Sequence, residues 1–213
     1  MRGLFITFEG LDGSGKTSVL NQVKADLETT GKKNYIFTRE PGGNRIAEAV
    51  RAIILDKKNT EMAARTEALL YAAARSQHVV ETIEPALAAG KVVFCDRYVD
   101  SSLVYQGAGR HIGIDEVAAI NSFATQGLEA DLTFYFKIQP QVGLERIKDH
   151  RQDQIDRMDS QDVSFYEETY AAYERLAQEN PSRYVVIDAN RPLAEVVAAV
   201  SQQLSQRVGQ YLE

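Results

Sequence analysis

Five short runs rich in β-branched and aromatic residues punctuate this chain: Leu4–Phe8, Tyr35–Thr38, Val92–Cys95, Leu132–Phe136 and Tyr184–Ile187. They are apolar nearly throughout rather than in alternation, the mark of strands buried on both faces. Between them apolar residues return at helical spacing, as in Val19, Val23 and Leu27, from Leu69 and Leu70 through to Leu87, and in Val196, Val197, Val200 and Leu204. Strands alternating with helices predict an α/β fold in three layers, a five-stranded parallel sheet flanked by helices. Ligands of such sheets bind beyond the carboxyl ends of the strands, so the residues that follow each strand are where the chemistry is to be sought.

One stretch departs from the pattern. Residues 146–162 carry Arg146, Lys148, Arg151, Arg157 and the aspartates 149, 153, 156, 159 and 162, with few apolar side chains to hold them down. Such a segment is either a short lid or a solvated helix face laced with ion pairs.

The first strand runs into Gly10-Leu11-Asp12-Gly13-Ser14-Gly15-Lys16-Thr17, a complete GxxxxGK[ST] pattern. Its glycines let the backbone curl until successive N–H groups point at one anion, and the helix that opens at Lys16 adds the positive end of its dipole. Lys16 then reaches the β- and γ-phosphates, and the Thr17 hydroxyl is placed to ligate magnesium. The segment predicts a nucleoside triphosphate site, and with a phosphate loop present the lid reading of residues 146–162 gains weight, because arginines on a closing element can donate to a phosphoryl group in transfer.

Composition narrows the class. The chain has 213 residues, enough for one α/β domain with a well-buried core. A formal charge of −6 argues against broad nucleic-acid binding, which needs a basic face, while leaving room for a local basic pocket. No apolar run approaches the roughly 20 residues of a bilayer span, and the N-terminus enters the first strand directly, so a cytoplasmic protein with no membrane contact is expected. Cys95 is the single cysteine, which excludes an internal disulfide, and its place in Val92-Val93-Phe94-Cys95 predicts a small core side chain.

Beyond the second strand, Arg39-Glu40-Pro41-Gly42-Gly43 makes a turn whose arginine either holds a substrate phosphate or sugar or pairs with Glu40 or another neighbouring carboxylate. Beyond the third, Asp96-Arg97-Tyr98 either forms a structural Asp–Arg salt bridge at the strand end or places an acid where it can hold magnesium beside Thr17 and a guanidinium whose planar fork matches phosphate oxygens. Tyr71 and Arg75, four apart, project from one helix face and either simply pack there or form a base pocket, the ring stacking on a nucleobase and the guanidinium bonding a ring carbonyl. Ser101, Ser102, Tyr105 and Gln106 follow shortly after Arg97, and the bulk of Tyr105 beside a sugar would disfavour a 2′-hydroxyl. After the fifth strand, Arg191 either borders an adenine or simply precedes Pro192 at an ordinary helix start.

Taken together, Phe8-Glu9 with the phosphate loop, Thr38-Arg39-Glu40-Pro41-Gly42-Gly43, Tyr71 with Arg75, Asp96-Arg97-Tyr98, Tyr105-Gln106-Gly107 and Arg157-Met158-Asp159 resemble the bacterial thymidylate kinases, in order and spacing and nearly end to end. The resemblance implies a P-loop NTPase-type fold, a single nucleoside monophosphate kinase domain over residues 1–213 with its lid at about 146–162, and transfer of the γ-phosphoryl group of ATP to dTMP with Mg2+, usually in a homodimer. It implies that residues 10–17 and Arg191 bind ATP and that Thr17 and Asp96 serve the metal. Arg39 and Arg97 would bind the dTMP phosphate, Tyr71 would stack on thymine, Arg75 would bond its carbonyl, and Ser102, Tyr105 and Gln106 would line the same pocket. Asp12 would face the acceptor's sugar and phosphate. Members supply a catalytic arginine either from the phosphate loop or from the lid; Gly13 follows Asp12 here, so the chain resembles the lid type, with Arg151 and Arg157 joining Lys16, Asp12 and Arg97 in catalysis.

Three other classes compete. A deoxynucleoside kinase would share the loop and the acid–arginine pair, but Arg39 with Tyr71 and Arg75 favours a monophosphate acceptor. A GTP-dependent switch would carry an Asn-Lys-x-Asp segment and an Asp-x-x-Gly after the third strand, and neither occurs. A non-catalytic scaffold would leave the loop and the arginines idle.

Overall fold

The computed structural model describes residues 1–150, 157, 158 and 161–212. Within them β1 (Phe5–Glu9), β2 (Tyr35–Arg39), β3 (Val92–Asp96), β4 (Leu132–Lys137) and β5 (Tyr184–Asp188) form one sheet in the order β2-β3-β1-β4-β5. Every pairing is parallel, with Phe8 beside Asp96 and Lys137 beside Asp188. Each strand runs one residue beyond the apolar run that announces it, and the added residue is charged every time: Glu9, Arg39, Asp96, Lys137 and Asp188. Ladder pairing needs only backbone groups, so it continues past the point where side-chain hydrophobicity stops. Of the rim residues sought beyond the strands, Arg39 and Asp96 are therefore the last residues of β2 and β3, held in register with each other.

The layers follow from period-two alternation on the central strands. Ile6 and Phe8 of β1 and Val92 and Phe94 of β3 pack in one core with Phe134, Phe136, Tyr173, Leu176, Val200 and Leu204. Phe5, Val93 and Cys95 point the other way, into a second core with Val79, Ile83, Leu87 and Tyr98. Cys95 is wholly buried there, which pushes its thiol well above the usual range, as a core side chain should behave.

Helices α1 (Lys16–Thr29), α2 (Arg45–Leu55), α3 (Ala64–His78), α4 (Glu84–Ala88), α5 (Val99–Ser102), α6 (Ile114–Thr125), α7 (Pro140–His150), α8 (Val163–Glu179) and α9 (Leu193–Val208) cover the sheet. The stretch read as one helix from Leu69 to Leu87 is α3 and α4 joined through a wider π turn, Val79–Ile83, without a break in the chain's course. A second π segment, Leu103–Gly109, follows α5. The charged stretch 146–162 begins inside α7, which holds Arg146, Lys148 and Asp149, and ends at Asp162, whose carboxylate caps α8 by accepting from the Phe165 N–H at 2.9 Å. The rest of that segment, apart from residues 157, 158 and 161, lies outside the described residues. No helix among those described is long and apolar enough to cross a membrane.

Candidate active site

A cavity of about 940 Å³ opens at the carboxyl edge of the sheet. Residues from the phosphate loop, the β2 and β3 ends, α3, the turn after β5 and α7 line it, so six separate segments converge as an open α/β sheet requires.

The phosphate loop leaves β1 through Gly10 and enters α1 through Gly15, with φ values of 140° and 84° that L side chains rarely adopt. Gly13 is constrained twice, by φ 77° and by α7: a Cβ there would lie 2.2 Å from the Gly143 carbonyl oxygen. No side chain, and so no arginine, fits at position 13. Lys16 is buried, its Nζ donating to the carbonyls of Gly10 (2.9 Å) and Leu11 (2.8 Å) and to Ser14 Oγ (3.2 Å). Burial first, then the nearby Arg97 guanidinium, push its ammonium down to about 8. An anion entering the loop would meet a cation that is already desolvated and short of negative charge.

Thr17 Oγ1 donates to Asp96 Oδ2 at 2.8 Å, so the two groups expected at a metal are in contact. They form a pair of hard oxygens. No cluster of three or more carboxylate, imidazole or thiol groups gathers among the described residues, which leaves the other positions of an octahedral ion to phosphate oxygens and water, as magnesium prefers. The donor set therefore fits Mg2+.

Arg97 stands at the centre. Its φ of 70° is unusual for a side chain with a Cβ, and its Nη2 pairs with Asp12 Oδ1 at 2.7 Å while Nη1 donates to the Gly10 carbonyl (3.0 Å) and Ser101 Oγ (3.1 Å). Burial penalises this charge, but Asp12, Tyr105, Tyr173 and Asp96 together hold it firmly protonated. Tyr105 donates to Asp12 Oδ2 at 3.0 Å, and its ring lies 5.1 Å beneath the guanidinium. Asp12, Arg97 and Tyr105 thus form one unit between the phosphate loop and the end of the cavity that Tyr71 and Arg75 line.

At that end Tyr71 is half-buried on the wall and Arg75 lies beneath it. Arg75 is more committed than its spacing suggests. Nε donates to Glu40 Oε2 (2.6 Å), Nη1 to Ser102 Oγ (3.0 Å) and to Asn121 Oδ1, and Nη2 to the Tyr98 carbonyl (3.0 Å). Those bonds use four of its five N–H groups and leave one for a ligand. Glu40 also meets His78 Nδ1 at 2.9 Å, and His78 Nε2 lies 2.6 Å from Thr38 Oγ1. Gln106 donates to Glu67 at 3.0 Å. Arg39 pairs with Glu48 (2.9 Å) rather than Glu40, and both Arg39 and Arg51 donate to the Pro41 carbonyl, at 2.8 and 3.0 Å.

At the opposite end Arg191 borders the cavity, exposed, with Asp188 at 3.4 Å and Glu195 at 3.7 Å. Arg146 of α7 lines the same wall and donates to the Ala189 carbonyl at 3.0 Å. Arg157 lies elsewhere: its Nη2 meets Glu67 at 2.6 Å, its Nε donates to the Ile54 carbonyl at 2.8 Å, and it does not line the cavity. Glu67 is nearly inaccessible; burial would raise its carboxyl, but the Gln106, Arg110 and Arg157 donors outweigh that and hold it below the usual range. Arg151, the other lid arginine, lies outside the described residues. Sequence reasoning missed Arg51 and Arg146 on the cavity wall and Glu67 and Asn121 as the partners of Gln106 and Arg75, and only the charge of Arg146 in an otherwise sparse segment pointed to it.

The family model described as thymidylate kinase matches residues 8–200. Among curated proteins, the thymidylate kinase of Ligilactobacillus salivarius is 56% identical over 197 residues, covering 92% of this chain and 95% of that protein. Those of Latilactobacillus sakei (55% over 206 residues, 97% and 96%) and Enterococcus faecalis (54% over 207 residues, 97% and 98%) are similar over almost their whole lengths.

Proposed function

The chain belongs to the thymidylate kinase family, and from that premise we propose how its cavity transfers the γ-phosphoryl group of ATP to dTMP. Residues 10–17 cradle the ATP phosphates, with Arg146 and Arg191 bordering the adenine end. The thymine base enters beside Tyr71 and takes the remaining N–H of Arg75, while Ser102 and Gln106 close the pocket. Arg39 and Arg97 hold the dTMP phosphate, and Tyr105 and Asp12 abut its sugar and fix Arg97.

Phosphoryl transfer needs two anions brought into line and the charge on the equatorial oxygens neutralised. Lys16 supplies charge on the donor side and Arg97 on the acceptor side. Bound at Thr17 and Asp96, Mg2+ would add positive charge at the β- and γ-oxygens. Of the lid arginines, we assign Arg151 to the moving phosphoryl group and Arg157 to anchoring the lid on Glu67. The observation that carries this reading is the Asp12–Arg97–Tyr105 unit, which sets a protonated guanidinium between the phosphate loop and the base pocket.

The direct test is ATP consumption with a panel of acceptors. We expect turnover with dTMP well above that with dUMP, dCMP, dGMP, dAMP or thymidine; equal rates with thymidine would instead indicate a nucleoside kinase. We further propose that the enzyme is cytoplasmic and works as a homodimer. Ile46 and Ile53 on α2, Leu69 on α3, Val80 in the π turn that follows α3 and Phe123 on α6 are exposed apolar residues on neighbouring elements, which a second copy would cover. Sedimentation should show Leu69→Glu and Phe123→Glu as monomers where the parent is a dimer.

A further inference from the structure

Glu9, the last residue of β1, has no part in the scheme above. Its carboxylate is fully buried one residue before the phosphate loop, where an ionised group is costly unless it is well hydrogen-bonded. Three donors meet it: the Tyr98 N–H at 2.7 Å on Oε1, and on Oε2 the Ser101 hydroxyl at 2.6 Å and the Tyr173 hydroxyl at 2.9 Å.

Two of those contacts lead to Arg97. Tyr98 follows Arg97 directly, and Arg97 occupies the left-handed region at φ 70°, a conformation that costs a residue with a Cβ about 1–2 kcal/mol. Bonds on either side oppose that cost, from the Arg97 N–H to the Phe8 carbonyl at 3.0 Å and from the Tyr98 N–H to Glu9. The second route runs through Ser101. A serine hydroxyl has one proton, and with that proton on Glu9 its lone pairs are left to accept from Arg97 Nη1 at 3.1 Å.

We propose that Glu9 is a positioning residue for the transfer: its carboxylate fixes the left-handed backbone at Arg97 and the direction of the Ser101 hydroxyl, and so aims the Arg97 guanidinium at the phosphate gap. The proposal rests on the reading that Arg97 meets the acceptor phosphate. Protonating Glu9 brings a new donor into the cluster. Ser101 or Tyr173 must then turn to accept it; a Ser101 proton that leaves Glu9 for the Tyr173 oxygen at 3.0 Å redirects the hydroxyl that meets Arg97, and one that swings towards Arg97 finds no acceptor, because a guanidinium has none.

The groups that face Glu9 decide when this happens. Burial first, then Asp100 on α5, favour the neutral acid, while Ser101, Arg97 and the Tyr98 N–H favour the carboxylate, and the balance lies at about 7. Lys16 on α1, Arg183 before β5 with Tyr184 on it, Cys95 on β3 and Tyr173 on α8 complete the charged and titratable surroundings. Arg183 is itself paired with Asp100, at 2.7 Å.

The experiment is kcat of the full chain with saturating dTMP and Mg-ATP from pH 5.5 to 9, for the parent and for Glu9→Gln, Tyr173→Phe and Arg97→Ala, with the melting temperature of each recorded at every pH. Ionisation of the substrates is common to all four, so ratios to the parent isolate the enzyme's own groups. We expect Glu9→Gln to be slower by about 10- to 100-fold at pH 9, the range a small misplacement of a reacting group produces. The gap should close below pH 7 as the parent takes up the proton that glutamine mimics. A ratio near one throughout, or a gap that does not change with pH, overturns the proposal. Should Glu9→Gln fail to fold, Tyr173→Phe decides: losing one donor to the carboxylate should move the acid limb up by about one pH unit with the alkaline plateau kept, and an unmoved limb overturns the proposal. Arg97→Ala separates the two levels. Parent-like turnover there would remove the reading beneath the proposal, whereas a slow Arg97→Ala beside an unaltered Glu9→Gln removes the proposal alone.

Discussion

Lys16 has a consequence for binding that titration can measure. Its ammonium, pushed down to about 8 by burial and by Arg97, is partly deprotonated in the free enzyme at pH 8.5 to 9. A triphosphate placed against it restores the ordinary value near 10.5, so ATP binding should take up a proton. Calorimetry of Mg-ATP binding at pH 8.8 in two buffers of different ionisation enthalpy should give uptake of a large fraction of one proton, falling towards zero at pH 6.5, and Lys16→Met should abolish it. Lys16, Thr17, Asp96 and Arg97 were legible in sequence because each sits at a fixed offset from a strand end. The partners of Arg75 were not: Glu40, Ser102 and Asn121 come from three distant segments, and only the fold brings them onto one guanidinium.

At the level of elements, the number, type and order of the strands could be read from apolar runs, but their last residues could not, because backbone pairing carries one charged residue past the run that hydrophobicity marks. The charged stretch 146–162 was legible only as a composition. The structure assigns its beginning to α7 and ties Arg157 to Glu67 on α3, a pair of low exposure at 10% and 1% of the side chains. Removing one member of a buried pair typically costs 3–5 kcal/mol, because the other is left uncompensated. Arg157→Ala should therefore lower the free energy of unfolding by roughly 3 kcal/mol. Glu67 has other cationic partners, and Glu67→Gln should cost a similar amount with the double variant no worse than the worse single one, as residues of one network behave. Denaturant titration of the three proteins tests this, and additive losses would show that Arg157 and Glu67 act separately.

Across the whole molecule the same economy appears as a conflict between stability and function. A formal charge of −6 conceals a cavity into which Lys16, Arg39, Arg51, Arg97, Arg146 and Arg191 converge, which is why a net charge that argues against broad nucleic-acid binding has no bearing on a mononucleotide site. Glu9 lies beneath that basic cluster with its carboxyl raised to about 7 from an ordinary 4.5. The folded chain therefore binds this proton more tightly than the unfolded chain does, so the contribution is complete below pH 4.5 and is lost as pH rises through 7. Between pH 5 and 8 the loss amounts to something on the order of 2 kcal/mol. Glu9→Gln cannot ionise and escapes it. Urea unfolding of parent and Glu9→Gln at the two pH values should show the variant gaining stability relative to the parent by about that amount at pH 8, on the alkaline side where its turnover is expected to fall behind the parent's. A difference in stability that does not change with pH would mean that Glu9 keeps the same charge in the folded and unfolded chains, and that its burial serves packing alone.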